Sequence, residues 1–424
     1  MKKILILFLP FVFVIWTEQC SVPTYSQLTN NNYVKTGLDV LIEKNFEPLK
    51  GKKIAFLTNF AGRTRDGKSS VEVFQNTNVC QLIKIFTPEH GFYTTVPAGE
   101  HVSDDKIGNT SVVSLYGSKR KPSVSDLSDC DAVVIDIQDI GIRSYTYISS
   151  VYKMLEACAE NNKQVFILDR PNPLGGLIVD GNVLEKGKES FIGIIPVTYI
   201  HGCTIGELTN MLNEEGWLSQ DSTVQPKKCN LTIIKTENWK RWMQWEDTGL
   251  RWFPTSPHIQ SPDAVRGAAV LGIWGELSLF SIGIGTTLPF QYCGAPDFKS
   301  LEIANEINSQ NLYGVNLYPT KYRPFYGMYN GKDCEGLLLK FTPNNLFMPY
   351  RFGIKLALAI RKYHPNIFKK SFSSQAQSMF IKATGTDELL RAFMENKSDD
   401  EIISISQNGL DNFISLRKKY LLYE

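Results

Sequence analysis

The chain has almost no excess of either charge. Its 45 Lys and Arg against 43 Asp and Glu leave a formal +2 over 424 residues, too even for an electrostatic footprint on nucleic acid, and no basic stripe interrupts the balance. Its cysteines lack pattern. Beyond Cys20 they are Cys80, Cys130, Cys158, Cys203, Cys229, Cys293 and Cys334. This odd set without a C-x-x-C pair speaks against a zinc site and a fully paired disulfide framework, and reads as small buried hydrophobes. The H-E-x-x-H of zinc hydrolases and the G-x-S-x-G of serine hydrolases are missing. After the first expected strand, Asn59-Phe60-Ala61-Gly62-Arg63 does not supply the G-x-G-x-x-G of a dinucleotide enzyme, and Gly283-Ile284-Gly285 lies outside such a turn. Internal repeats and low-complexity tracts are absent too.

At 43% hydrophobic and 21% charged, the chain can bury a sizeable core and is too long for one ordinary domain. Met1-Lys2-Lys3, followed by the apolar stretch Ile4 to Trp16, has the two regions of a secretory signal and is too short for a good membrane span. Cys20 stands where a lipid-bearing cysteine would follow, whereas Glu18-Gln19 is wrong for the small-residue box that precedes one. Lipid attachment and ordinary cleavage both stay open. Residues 1–20 are read as signal and 21–36 as tether. The protein is expected outside the cytoplasm, periplasmic, secreted or envelope-anchored, with membrane contact only through a lipid at Cys20.

From residue 37 apolar runs alternate with amphipathic stretches. Helices are expected at 37–49, 69–77 and 152–161, and strands at 53–59, 81–86, 132–136, 164–168 and 195–200. Apolar strands separated by helices indicate a parallel sheet covered on both faces. The expected fold is α/β, a Rossmann-like domain over 37–289 with a smaller α+β domain over 290–424, and 239–262 as a long irregular connection. Ligands of open parallel sheets bind beyond the carboxyl ends of the strands. There the sequence places Thr87-Pro88-Glu89-His90-Gly91, Asp136 through Tyr147, Asp169-Arg170-Pro171-Asn172-Pro173 and His201-Gly202.

These segments, with Leu57-Thr58-Asn59, Ala98-Gly99-Glu100-His101-Val102 and Leu115-Tyr116-Gly117, occur in this order in a known family. The chain resembles the NamZ-like (YbbC-like) exo-β-N-acetylmuramidases from about residue 37 onward, strongly to about 210 and less beyond. The resemblance implies a Rossmann-like catalytic domain, a smaller C-terminal domain and a cleft between them. It also implies release of N-acetylmuramic acid from the non-reducing end of peptidoglycan fragments, with no cofactor and no metal. One segment departs: Ile282-Gly283-Ile284-Gly285-Thr286-Thr287-Leu288-Pro289 stands where most relatives read Glu-Gly-Arg-Gly-Thr-Thr-Arg-Pro. His258 likewise replaces a usual asparagine, and Cys334-Glu335-Gly336 a Cys-Gly-Gly.

Glycosidic cleavage needs a carboxylic acid to protonate the leaving oxygen and a second group to attack or to activate water. Glu89 is the expected acid, with Pro88 and Phe92 supplying a partly apolar setting and His90 orienting it or holding a sugar hydroxyl; the plainer role for both is local structure. Asp136 is either the second carboxylate, a sugar ligand, or one half of a structural pair with Arg143. Gln138, Asp139, Arg143, Tyr145, Asp169, Arg170, Asn172, His201 and Glu276 are candidate sugar ligands. Glu207 reads as part of a helix start, and Glu276 aligns with a family glutamate. Trp239, Trp242, Trp245 and Trp252 could stack on sugars, although core packing is the commoner use. A non-catalytic envelope glycan binder and a glycosidase of altered sugar specificity are the alternatives. Convergence of Glu89, Asp136 and Glu276 on one pocket would favour the enzyme.

Overall fold

The computed structural model describes residues 33–218, 228–369 and 371–424; the expected signal, Cys20 and most of the tether lie outside them. The strands, in chain order, are β1 Lys53–Thr58, β2 Gln81–Thr87, β3 Asp105–Ile107, β4 Thr110–Ser114, β5 Ala132–Asp136, β6 Gln164–Leu168, β7 Asp180–Val183, β8 Thr198–Ile200, β9 Asn230–Ile234, β10 Tyr292–Ala295, β11 Val315–Tyr322 and β12 Cys334–Phe341. Seven of them form one sheet in the order β3-β4-β2-β1-β5-β6-β9. All neighbours are parallel except β3 with β4. The α/β class expected from the sequence is the one observed.

The pleat explains the apolar runs. Successive side chains of a strand point to opposite faces. Ile54, Phe56, Ala132, Val134 and Phe166 enter one apolar cluster, together with residues of the helices Gly37–Glu43 and Ser70–Gln75. Ala55, Leu57, Val133, Ile135, Val165 and Ile167 enter another, beneath the helices Tyr147–Glu160 and Ile205–Glu214. Covered on both sides, these strands have no polar face to alternate with. Register keeps the strand ends level: Thr58 pairs with Asp136 across β1 and β5, where the order reverses. That reversal is where a ligand crevice opens in such sheets.

Residues 195–200 do not supply a further parallel strand. β8 pairs antiparallel with β7 in a separate two-stranded sheet, and β9 takes the edge position beside β6. An apolar run states that a strand is buried and leaves open which sheet buries it.

The second core is built on the antiparallel sheet β10-β12-β11 and the helices around it. Its middle helix, Pro262–Glu276, has its N-cap at Ser261, whose hydroxyl accepts from the Ala264 N–H, and a proline in the first turn. It is apolar nearly all round, which erases the 3.6-residue polarity that marks surface helices. Gly353, in the helix Pro349–Tyr363, lets the two approach: a Cβ there would stand 2.3 Å from the Val270 carbonyl oxygen. Because this helix packs with the second core, we propose the division between halves near residue 262, ahead of the expected 289/290.

The seven described cysteines are buried and free, as small core residues are. The chain end returns to the first half, where the Leu422 N–H donates to Glu207 Oε1 at 2.9 Å and the Tyr423 hydroxyl to Asp169 Oδ2 at 2.5 Å. Burial pushes Asp169 up to about 6, against donors that pull the other way. Its folded form therefore holds a proton more tightly than the unfolded chain does. That contribution to stability is fully present below about pH 4 and is lost as pH rises through about 6. Asp169→Asn should flatten this part of the stability profile, since the Thr204 and Tyr423 hydroxyls can reverse to accept from the new amide. Chemical denaturation at pH 4, 5, 6 and 7 checks it; an unchanged slope would show that Asp169 does not titrate there.

Candidate active site

A cavity of about 600 Å³ lies between the carboxyl edge of the large sheet and the second core. From the sheet side it is lined by Glu89, His90, Tyr116, Ser144, Tyr145 and Thr146, and from the other by His258, Glu276, Phe280, Ile282, Ile284 and Phe290. It is large enough for sugar units.

Glu89 follows β2 by two residues and is 6% exposed. Its Oε2 accepts from the Thr146 hydroxyl at 2.5 Å and its Oε1 from the Gly99 N–H at 3.0 Å. The Tyr116 hydroxyl is also hydrogen-bonded to it, and burial followed by that carboxyl keeps the phenol far from ionising. The carboxyl group is thus fixed by polar partners, a different setting from the apolar one expected of Pro88 and Phe92. His90 and Gly91 take left-handed φ of 72° and 74° in succession. For a histidine this is a sparsely populated conformation of the sort that collects at functional sites. Its Nδ1 stands 2.7 Å from the Val96 carbonyl oxygen, which only accepts, so Nδ1 carries the proton and Nε2 is left bare. Burial lowers the pKa of His90, outweighing Val96 and Glu89.

Glu276 ends the helix Pro262–Glu276 and opens on the same cavity. Burial raises its pKa, and the charge of Glu89 adds to the rise. The two carboxyl groups are therefore close enough to feel one another. Tyr145 lines the cavity too, its hydroxyl donating to Thr255 Oγ1 at 2.8 Å.

The other candidates do not line this cavity; the structure shows the partners each of them has, and the expected pairing of Asp136 with Arg143 is corrected. Asp136 is wholly buried, and its partner is Arg170 rather than Arg143: Arg170 Nε donates to Oδ1 at 2.5 Å and Nη2 to Oδ2 at 2.9 Å. Burial pushes Asp136 up and Arg170 opposes it. At 0% exposure it presents no surface to a sugar. Among the described residues Arg143 has no carboxylate partner; its Nη1 donates to the carbonyls of Asn182 and Val197 and its Nη2 to those of Ala383 and Thr384, in the other half of the chain. Burial lowers it to about 10. Asp169 accepts from the Gly206 N–H at the start of a helix and from Thr204 and Tyr423. Gln138 donates to the carbonyls of Asp139 and Pro171, and Asn172 to that of Cys203. The Cys203 N–H donates to His201 Nδ1, so the His201 proton sits on Nε2, 3.4 Å from Asp139 Oδ2. Glu207, as expected, completes a capping box and pairs with Arg241 at 2.6 Å. Trp239 and Trp245 are core residues and Trp242 is exposed.

Tyr116, Ser144 and Thr146 join the site without having been singled out, although all three lie inside the quoted segments. The departing loop contributes directly. Gly283 and Gly285 hold φ of 81° and 88°, and a Cβ on Gly285 would stand 2.0 Å from the Tyr326 carbonyl oxygen. Between them Ile284, with Ile282, faces the cavity, while Leu288 does not. His258 lines it as well, with Nε2 2.8 Å from the Tyr326 hydroxyl. Glu335 lies elsewhere, paired with Lys321 at 2.5 Å.

Comparison with known proteins agrees along the whole chain. The family models for the N-terminal and C-terminal parts of exo-β-N-acetylmuramidase NamZ match residues 54–263 and 269–423. The chain is 33% identical to the peptidoglycan β-N-acetylmuramidase NamZ of Bacillus subtilis (strain 168), over all of both chains. Two crystal structures of DUF1343 family proteins from Bacteroides fragilis NCTC 9343 have the same fold. One is 35% identical with a TM-score of 0.86 over 93% of this chain and 100% of that one. The other is 29% identical with a TM-score of 0.72 over 92% and 99%. The chain belongs to the NamZ exo-β-N-acetylmuramidase family.

Proposed function

We propose that this protein is a glycosidase that releases N-acetylmuramic acid residues from the non-reducing end of peptidoglycan fragments, with Glu89 and Glu276 as its reacting carboxyl pair. The observation that carries the reading is the meeting of these two groups in one cavity of sugar size. Glu276, whose pKa burial and the like charge of Glu89 both raise, suits proton delivery to the leaving oxygen. Glu89, held by Thr146 and Gly99, suits attack on the anomeric carbon or activation of water. The bare Nε2 of His90 accepts a sugar hydroxyl. A secretory signal at the N-terminus would bring the enzyme to this substrate outside the cytoplasm. Incubation with an aryl β-N-acetylmuramide and with a defined muropeptide tests the reading; release of the terminal sugar is expected, and none from either would overturn it.

The division of labour has its own test. Because Glu89's charge helps raise Glu276, Glu89→Gln should move the Glu276 titration, and the alkaline limb of residual kcat/KM, to lower pH. Carbon-13 NMR of the carboxyl group measures the shift where turnover is too slow. A limb that stays in place would remove Glu276 from the acid role.

A further inference from the structure

The cavity walls carry acids and no strong base. Among the described residues that line it, Glu89 and Glu276 are carboxylic, His90 and His258 are imidazoles, and none is Lys or Arg. Both imidazoles are held toward the neutral form, His90 by burial and His258 by burial and by His90. Around the carboxyl pair stand Ile282, Ile284, Phe280 and Phe290. A carboxylate brought into this space would shed its water, face two acids and an apolar wall, and find no guanidinium or ammonium to pair with. A guanidinium does stand at the edge. Arg120 is exposed, 4.5 Å above the Phe191 ring and 5.9 Å from that of Tyr116, beside the lining residues Ile192 and Tyr116.

We infer that the sugar this cavity accepts bears only uncharged substituents inside it, and specifically that it is a muramoyl residue whose lactyl group is amide-linked to peptide rather than ending in a free carboxylate. The peptide's own acids then lie outside, within reach of Arg120. An amide keeps the lactyl carbon skeleton while removing the charge, so the apolar wall of Ile282 and Ile284 costs it little. The inference rests on the glycosidase reading and narrows it.

Matched aryl β-glycosides test it on the whole protein: the N-acetylmuramide as free acid, the same compound with its lactyl group joined to L-alanyl-D-glutamate, and the N-acetylglucosaminide. The expected result is a kcat/KM for the peptide-bearing compound about tenfold or more above that for the free acid. The preference over the free acid should narrow in Ile284→Arg. In Arg120→Ala the advantage of the dipeptide over a simple lactyl N-methylamide should shrink, which does not depend on altering the cavity wall. A free acid cleaved as fast as the peptide-bearing compound would overturn the inference and leave the glycosidase reading standing. A glucosaminide cleaved fastest would overturn the peptide assignment. No cleavage of any compound would overturn the glycosidase reading, and this inference with it.

Discussion

Glu89→Gln should lower kcat by about a hundred- to ten-thousand-fold, the usual contribution of a reacting acid or base, while the protein unfolds at nearly the same temperature. Glutamine keeps the size of the side chain. Its amide oxygen can still accept from the Gly99 N–H, and the Thr146 hydroxyl, now a donor to Oε2, can turn to accept from the new NH2. The structural cost is then small and the chemical cost large. Steady-state kinetics beside a thermal melt separate the two. A variant with the parent's rate would end the assignment, and one that unfolds much earlier would mean that Glu89 serves mainly to hold the segment 97–99.

Asp136→Ala should do the reverse. It leaves the Arg170 guanidinium, 5% exposed, without its carboxylate, and removing one member of a buried pair typically costs about 3–5 kcal/mol. The melting temperature should fall by several degrees. The rate per folded molecule should change little, because Asp136 does not line the cavity. Calorimetry together with rates normalised to folded protein decides it; an unchanged melt with a collapse in kcat would return Asp136 to the chemistry.

The contrast shows what could be read from residue order. Strand ends were legible because a strand covered on both faces is an unbroken apolar run, as at 132–135, and the rim follows it. Glu89, His90 and Tyr145 were found that way. The rim is longer than the site, however, and its position in sequence does not say which polar side chains saturate one another. Asp136 with Arg170, and Asp169 with Thr204 and Tyr423, meet the need of buried polar groups for partners. Those partners come from separate strands, and in Tyr423 from the last residues of the chain. The far wall was harder still. Glu276 was found only through resemblance, because the helix carrying it is apolar nearly all round and shows no periodic polar face.

Arg143 bears on how substrate enters. Its cation, shut away from water, divides its donors between carbonyls at 182 and 197 and others at 383 and 384, and the three residues after it line the cavity. Swinging the halves apart like a clamshell would break both hydrogen bonds of a buried cation to the second half at once, which is expensive. The mouth should therefore yield at the lining segments outside the two cores, such as residues 97–99 and 328, while the angle between the halves stays the same in free and occupied protein.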